Sequence, residues 1–292
     1  MRFAKGHGTG NDFLIVPDPD DQVTLSRDLV ARLCHRRTGL GADGILRAVR
    51  APAHGHAQPP GHGPPPGPAA EWLMDYRNAD GSVAEMCGNG IRVFARYLLD
   101  HGLAAGPAFA VATRAGLRQV REEASGEITV DMGVPEVRGR SEAVIGSRRY
   151  QGLEVSLGNP HLACVVDVPV AGLDLSAPPA VDHSRFPAGA NVEVVRVRGD
   201  GRLEMRVYER GSGATLSCGT GAVAAAVAAA TACARLAGRW AVQVPGGALT
   251  VALSEKTSML TGPAVIVAEG VLDHRWLSGQ EAGNLSGIAR AG

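Results

Sequence analysis

After Cys218 the chain runs GTGAVAAAVAAATACARLAG, alanine and valine with almost no polar residue among them. The pattern predicts a helix over about 219–237, stopped by Gly238. Such a helix is apolar nearly all round, so it has no face to turn to water and other structure must enclose it. Its side chains are small, so the enclosing backbone has to come close. A sheet wrapped around a central helix meets both demands, and few other architectures do.

The same opening recurs upstream. Cys87 precedes GNGIRVFARYLLDHG as Cys218 precedes GTGAVAAA, the two Cys-Gly-x-Gly turns lying 131 residues apart. The first predicts a helix over about 89–101, ending before Gly102. A weaker echo precedes each, GNDFLIV from Gly10 and GNPHLACVV from Gly158, both Gly-Asn turns running into a strand. Two copies of one unit, each contributing a cysteine, account for this spacing. Around the helices, DFLIVPD, ITVDMG, LEVSLG, LACVVDV, ANVEVVRV, LEMRVYE, WAVQVP, LTVALS and PAVIVAEG alternate or cluster apolar residues between turns and predict strands. With one further helix at about 26–36, the chain is strand-rich α+β.

Composition excludes several classes. The 292 residues with 45% hydrophobic content support a sizeable core. With 29 basic and 29 acidic residues and no Lys/Arg cluster, nothing forms a footprint for nucleic acid. The start MRFAKGHGTGNDFLIV lacks the features of an export signal, and the apolar run at 222–234 is too short to span a bilayer, so a cytoplasmic location without membrane attachment is expected. Five cysteines, at 34, 87, 164, 218 and 233, are an odd and scattered set, which argues against a disulfide framework and gives no zinc-like spacing; no metal is expected. The Pro/Gly/His segment 51–70 reads as a surface loop. GLGADG at 39–44 has the letters of a dinucleotide motif but follows polar CHRRT and precedes the strand-like ILRAVR, so it is not one.

A cysteine at the mouth of a helix meets unpaired backbone N–H groups and the positive end of the helix dipole, which favour the thiolate and predict a lowered thiol pKa. The flanking Gly88, Gly90, Gly219 and Gly221 let backbone approach a ligand, so the same N–H groups can cradle a carboxylate. A carbon acid held between two such cysteines can lose its proton to one and gain a proton from the other, which inverts the stereocentre. One motif alone is weak support for this chemistry; two in a duplicated setting are much stronger. Cys34, Cys164 and Cys233, without glycine flanks, read as packed and inert.

GHGTGNDFLIV, GLGADG, NADGSVAEMCGNGIRVFARYL, GNPHLACVV, GANVEVV and YERGSGATLSCGTGAVAAA together resemble the diaminopimelate epimerase family, from about residue 3 to about 272. The resemblance implies a cofactor-independent isomerase of lysine and peptidoglycan precursor biosynthesis, converting L,L- to meso-diaminopimelate by thiolate/thiol proton transfer at the α-carbon. Cys87 and Cys218 would be the acid/base pair, with His161 and Glu209 supporting them. The backbone of Gly88, Asn89, Gly219 and Thr220 would hold the carboxylate at the reacting carbon, and Asn11, Asn78, Asn159, Asn191, Glu209 and Arg210 would bind the rest of the substrate. The implied fold has two pseudo-symmetric domains, each a mixed β-sheet rolled into a barrel around a central helix. The first domain would be 1–118 plus about 264–277, the second 119–263, and 278–292 a tail. No cofactor, a small amino-acid substrate and a homodimer are also implied.

Two other functions remain open at this point. A proline or hydroxyproline racemase would use the same thiol pair but have no need of a distal polar set. An amino-acid-binding protein with a redox-switching cysteine pair would bind without exchanging the α-hydrogen. Asn78, Asn159 and Asn191 also sit in turn-like sequence where asparagine commonly turns the chain, and Glu209–Arg210 could be a solvated charge pair.

Overall fold

The computed structural model describes residues 1–51, 70–199, 201–235 and 237–279. The Pro/Gly/His segment, apart from its end residues Ala51 and Ala70, and the tail beyond Gly279 lie outside these ranges.

The first half is built from β1 (Arg2–Gly8), β2 (Asn11–Pro17), α1 (Arg27–Cys34), β3 (Gly44–Arg50), β4 (Trp72–Asn78), α2 (Gly88–Asp100), β5 (Ala108–Thr113), β6 (Gly116–Glu122) and β7 (Ile128–Gly133). The second follows with β8 (Glu136–Ile145), β9 (Arg148–Ser156), β10 (Pro160–Val165), β11 (Ala180–Val181), β12 (Asn191–Val197), β13 (Arg202–Glu209), β14 (Gly213–Thr215), α3 (Gly219–Ala232), β15 (Gly238–Val244), β16 (Gly247–Leu253), β17 (Ser258–Gly262), β18 (Val265–Val271) and α4 (His274–Leu277).

The duplication is written in the strand pairings. From β1 to β7 successive neighbours pair antiparallel, parallel, antiparallel, parallel, antiparallel, antiparallel. The series β9, β10, β12, β13, β15, β16, β17 repeats that order. β7 joins β17 antiparallel, which makes the sheet of the two halves continuous. The outer strands are exchanged: β8, after β7 in the chain, pairs with β9 of the second half, and β18, after β17, returns to pair with β1 of the first. The boundary expected at residue 118 falls inside β6, and the repeat of pairings closes at Gly133.

Each sheet curls around its helix. Every residue of α3 from Gly219 to Ala230 is buried, which is what its uniform alanine and valine require. α2 buries Gly88–Ala95, Tyr97 and Leu98 against β1, β2, β3 and β7. Close approach is real: a Cβ on Gly6 of β1 would stand 2.8 Å from Val93 Cγ1 of α2. β2 and β3 are covered on both faces, because α1 lays Val30 and Leu33 over Leu14, Val16 and Ile45 on the outer side. The extension of α3 to 237 does not form. Ala234 turns to φ 51° and the Arg235 N–H reaches back to Ala230 O at 2.8 Å, closing the helix well before Gly238.

Candidate active site

Cys87 and Cys218 occupy the same structural position. Each is the N-cap of its helix, at φ −139°, ψ 122° and φ −125°, ψ 120°, and each sulfur accepts the N–H of the third residue on, Gly90 or Gly221, at 3.4 Å. The two helix ends meet. A Cβ on Gly219 would lie 2.9 Å from Gly88 Cα and 3.1 Å from Asn89 N, so only glycine lets the two first turns abut. A buried polar lock ties them together: Asn89 Nδ2 donates to Ser217 O at 3.0 Å, Thr9 Oγ1 to Ser217 Oγ at 2.7 Å, and Arg92 Nη2 to Thr9 Oγ1 at 3.4 Å. Thr9 sits at φ 52°, a conformation a β-branched residue adopts at a cost of about 1–3 kcal/mol and only where its surroundings hold it.

The lowered thiols expected from the helix ends are not what the site produces. The N–H groups do favour the thiolates, but burial outweighs them. It pushes the Cys87 thiol up to about 11, and the Cys218 thiol well above its ordinary value, with the Glu209 and Glu193 carboxylates adding to the rise. Burial likewise raises Glu209, which accepts from Thr215 Oγ1 at 2.5 Å. Both shifts favour the protonated thiol over the thiolate.

Of the polar residues expected from sequence, Asn11 touches the first helix tip and Asn159 the second. On the second half, Asn159 Nδ2 donates to Thr220 Oγ1 at 3.3 Å and Thr220 Oγ1 lies 3.5 Å from Cys218 Sγ. The buried His161 ring bridges Asn159 Oδ1 at 3.1 Å and Glu193 Oε1 at 2.7 Å. The Asn191 Oδ1 accepts the Arg210 N–H at 2.9 Å, which fixes the turn that carries Glu209 and Arg210; the Arg210 residue itself is exposed. On the first half, Asn11 Oδ1 accepts from Asn89 Nδ2 at 3.2 Å and from the Cys87 thiol at 3.7 Å, while its Nδ2 donates to Asp43 Oδ2 at 2.7 Å. Asn78 Nδ2 donates to Ser82 Oγ within its own turn at 3.0 Å.

Three residues of the site were not singled out from sequence. Glu193 lies inside the apolar strand ANVEVVRV and is fully buried beside His161. Tyr76, on β4, has its hydroxyl raised well above the ordinary value by burial, with Cys87 and Glu209 next in effect. Arg92 is a fully buried guanidinium whose partners are the Thr9 hydroxyl and the carbonyls of Gly88 and Pro263, with no carboxylate among them. A charged residue within an otherwise apolar strand or helix was the available signal for Glu193 and Arg92. Among the described residues no three His, Cys, Asp or Glu side chains group as a metal ion would need, and no helix is long and apolar enough to cross a membrane.

The chain is similar to known proteins over most of its length. The family model described as diaminopimelate epimerase matches residues 3–137 and 154–267. The diaminopimelate epimerase of Thermobifida fusca is 58% identical over 278 residues, covering 92% of this chain and 97% of that protein. That of Mycobacterium ulcerans is 48% identical over 289 residues, 94% and 98% of the two chains. Among solved structures, a Bacillus anthracis phenazine biosynthesis protein of the PhzF family superposes with a TM-score of 0.66 at 16% identity over 94% of this chain and 99% of that one. A probable proline racemase from Agrobacterium radiobacter gives 0.62 at 14% identity, over 94% and 93%. These distant likenesses establish the two-domain fold of helix-wrapping mixed sheets. With matching blocks on both halves, including both cysteine turns, the chain belongs to the diaminopimelate epimerase family.

Proposed function

We propose that Cys87 and Cys218 are the two bases of the L,L- to meso-diaminopimelate epimerisation that family membership assigns to the chain. The observation that carries this reading is the abutment of Gly88 and Gly219, which sets two thiol-capped helix ends against each other. Between them the N–H groups at the two helix starts suit one carboxylate, and the sulfurs flank it. The substrate is an amino acid and brings its own ammonium group. A cation beside a thiol held near 11 favours its ionisation, so binding itself generates the base while the second cysteine stays protonated. Proton removal on one face and delivery on the other invert the α-carbon, and the reverse reaction exchanges the roles.

In this reading Gly88, Asn89, Gly219 and Thr220 receive the reacting carboxylate, Glu209 and His161 stand next to it, and Asn11, Asn78, Asn159, Asn191 and Arg210 select the distal end. The two halves act as domains that exchange β8 and β18, with the reaction in the cleft between them. Incubation of the reduced protein with L,L-diaminopimelate in heavy water tests the reading: meso product with deuterium at the α-carbon is expected. Folded protein with free thiols that gives neither product nor exchange overturns it.

A further inference from the structure

The His161 ring has an oxygen on each side, Glu193 Oε1 at 2.7 Å from Nδ1 and Asn159 Oδ1 at 3.1 Å from Nε2. The nitrogen end of Asn159 is committed to Thr220 Oγ1 at 3.3 Å. Both ring contacts are hydrogen bonds when one proton lies on each, Nε2–H donating to Asn159 Oδ1 and a second proton lying between Nδ1 and Glu193 Oε1. Both side chains are 0% exposed, and Glu193 Oε2 has no hydrogen-bond partner among the described residues. A half-satisfied carboxylate in a core is costly, so packing alone is a poor reason for it. The site is shaped around it: a Cβ on Gly221, in the first turn of α3, would stand 2.7 Å from Glu193 Oε1.

Contacts continue outward without a break. Glu193 meets His161, His161 meets Asn159, Asn159 meets Thr220, and Thr220 Oγ1 lies 3.5 Å from Cys218 Sγ. The register isolates what this chain of contacts adds. His161 pairs with Asn191 on β12 as Phe13 pairs with Gly44 on β3, which makes Leu46 the counterpart of Glu193. Phe13 and Leu46 are fully buried hydrophobes, and a Cβ on Gly90 would stand 3.4 Å and 3.3 Å from them. The same scaffold is thus complete with an apolar pair in this place, and the polar pair serves something other than the fold.

We propose that Glu193 is a positioning residue for the reaction, holding His161 and, through Asn159 and Thr220, fixing the polar side of Cys218. The proposal rests on the two-thiol reading above. The titratable groups that interact with the Glu193–His161 pair are Glu209 on β13 and Cys218 on α3, with Cys164 on the opposite face of β10.

The test compares wild type with Glu193→Gln and Glu193→Leu by steady-state epimerisation across the neutral to alkaline range, by thermal unfolding, and by nitrogen-15 spectra of histidine-labelled protein. Glu193→Gln is expected to lower kcat by about tenfold to a hundredfold with little change in KM, to displace the pH profile, and to leave unfolding near that of wild type. The nitrogen-15 signal of His161 Nδ1 is expected to move in the variant, where an amide replaces the carboxyl group it faces. Glu193→Leu, which places the side chain of its counterpart Leu46 beside His161, should show the same kcat loss. Wild-type kcat and pH profile in Glu193→Gln, or activity lost only in proportion to folded protein, overturns the proposal. If wild type itself does not epimerise, the two-thiol reading fails separately, and the nitrogen-15 spectra still decide whether Glu193 holds His161: an unchanged spectrum in the variant overturns that hold.

Discussion

The two halves share their strand pairings and their cysteine caps, yet they surround those cysteines with opposite chemistry. Behind Cys87 stand Phe13 and Leu46, and the buried Arg92 lies four residues along the helix from Gly88. Behind Cys218 stand His161 and Glu193, with Glu209 against the thiol, and the place of Arg92 is taken by Val223. Burial raises both thiols and Glu209 adds to the rise at each, while Arg92 draws Cys87 back down and Glu193 pushes Cys218 further up. Backbone pairing thus keeps the two cradles alike, while the side chains lining them have diverged in charge. In the two-thiol reading proposed above one partner gives a proton as the other takes one, and inequivalent walls suit that division.

The comparison can be broken most severely at the sulfurs themselves. Cys87→Ser and Cys218→Ser are each expected to lower turnover by about 10³-fold, since a hydroxyl is a far weaker acid, with thermal unfolding near wild type. A fully active variant would show that the matched caps are not matched in role. Next is the contact that holds them opposite. Gly219→Ala drives a methyl into the Gly88 backbone at 2.9 Å and should cost up to about 10²-fold in kcat and about 1–3 kcal/mol of stability. Gly106→Ala, where nothing lies within 4 Å, is the silent control, and equal losses in both would remove the abutment from the argument. The smallest effect sharpens the asymmetry. Alkylation follows the thiolate, so labelling of the free protein should rise with pH at Cys87 on the approach to about 11 and lag at Cys218, as peptide mass spectrometry would resolve. Cys218 reacting first would reverse the assignment of the two walls.

Much of this was legible in the residues. α2 and α3 were readable because a glycine-flanked cap followed by an unbroken apolar run has few interpretations, and the spacing of the two runs exposed the duplication. β1 was not, because RFAKGHG has no alternation of apolar side chains; it is buried through its glycines, whose backbone lies directly on α2. β8, EVRGRSEAVI, was hidden by its charges, which an outer strand can carry. Glu193 was passed over because its strand reads as alternating, while in the fold β12 is covered on both faces from Asn191 to Val195. The thiols were misjudged for a related reason: sequence displays the helix end that stabilises a thiolate, but not the depth of burial that opposes it.

The exchange of β8 and β18 also bears on how the molecule is made. Arg2 pairs with Val271 and His7 with Val265, so the edge of the first strand stays open until the ribosome has delivered almost the whole described chain. A nascent first half exposes that edge, a template for pairing with another chain, for the full time the second half is being translated. Pairings this distant in sequence also delay closure once the chain is free. The crossed strands that join the two halves therefore leave an open edge for as long as the second half is being made.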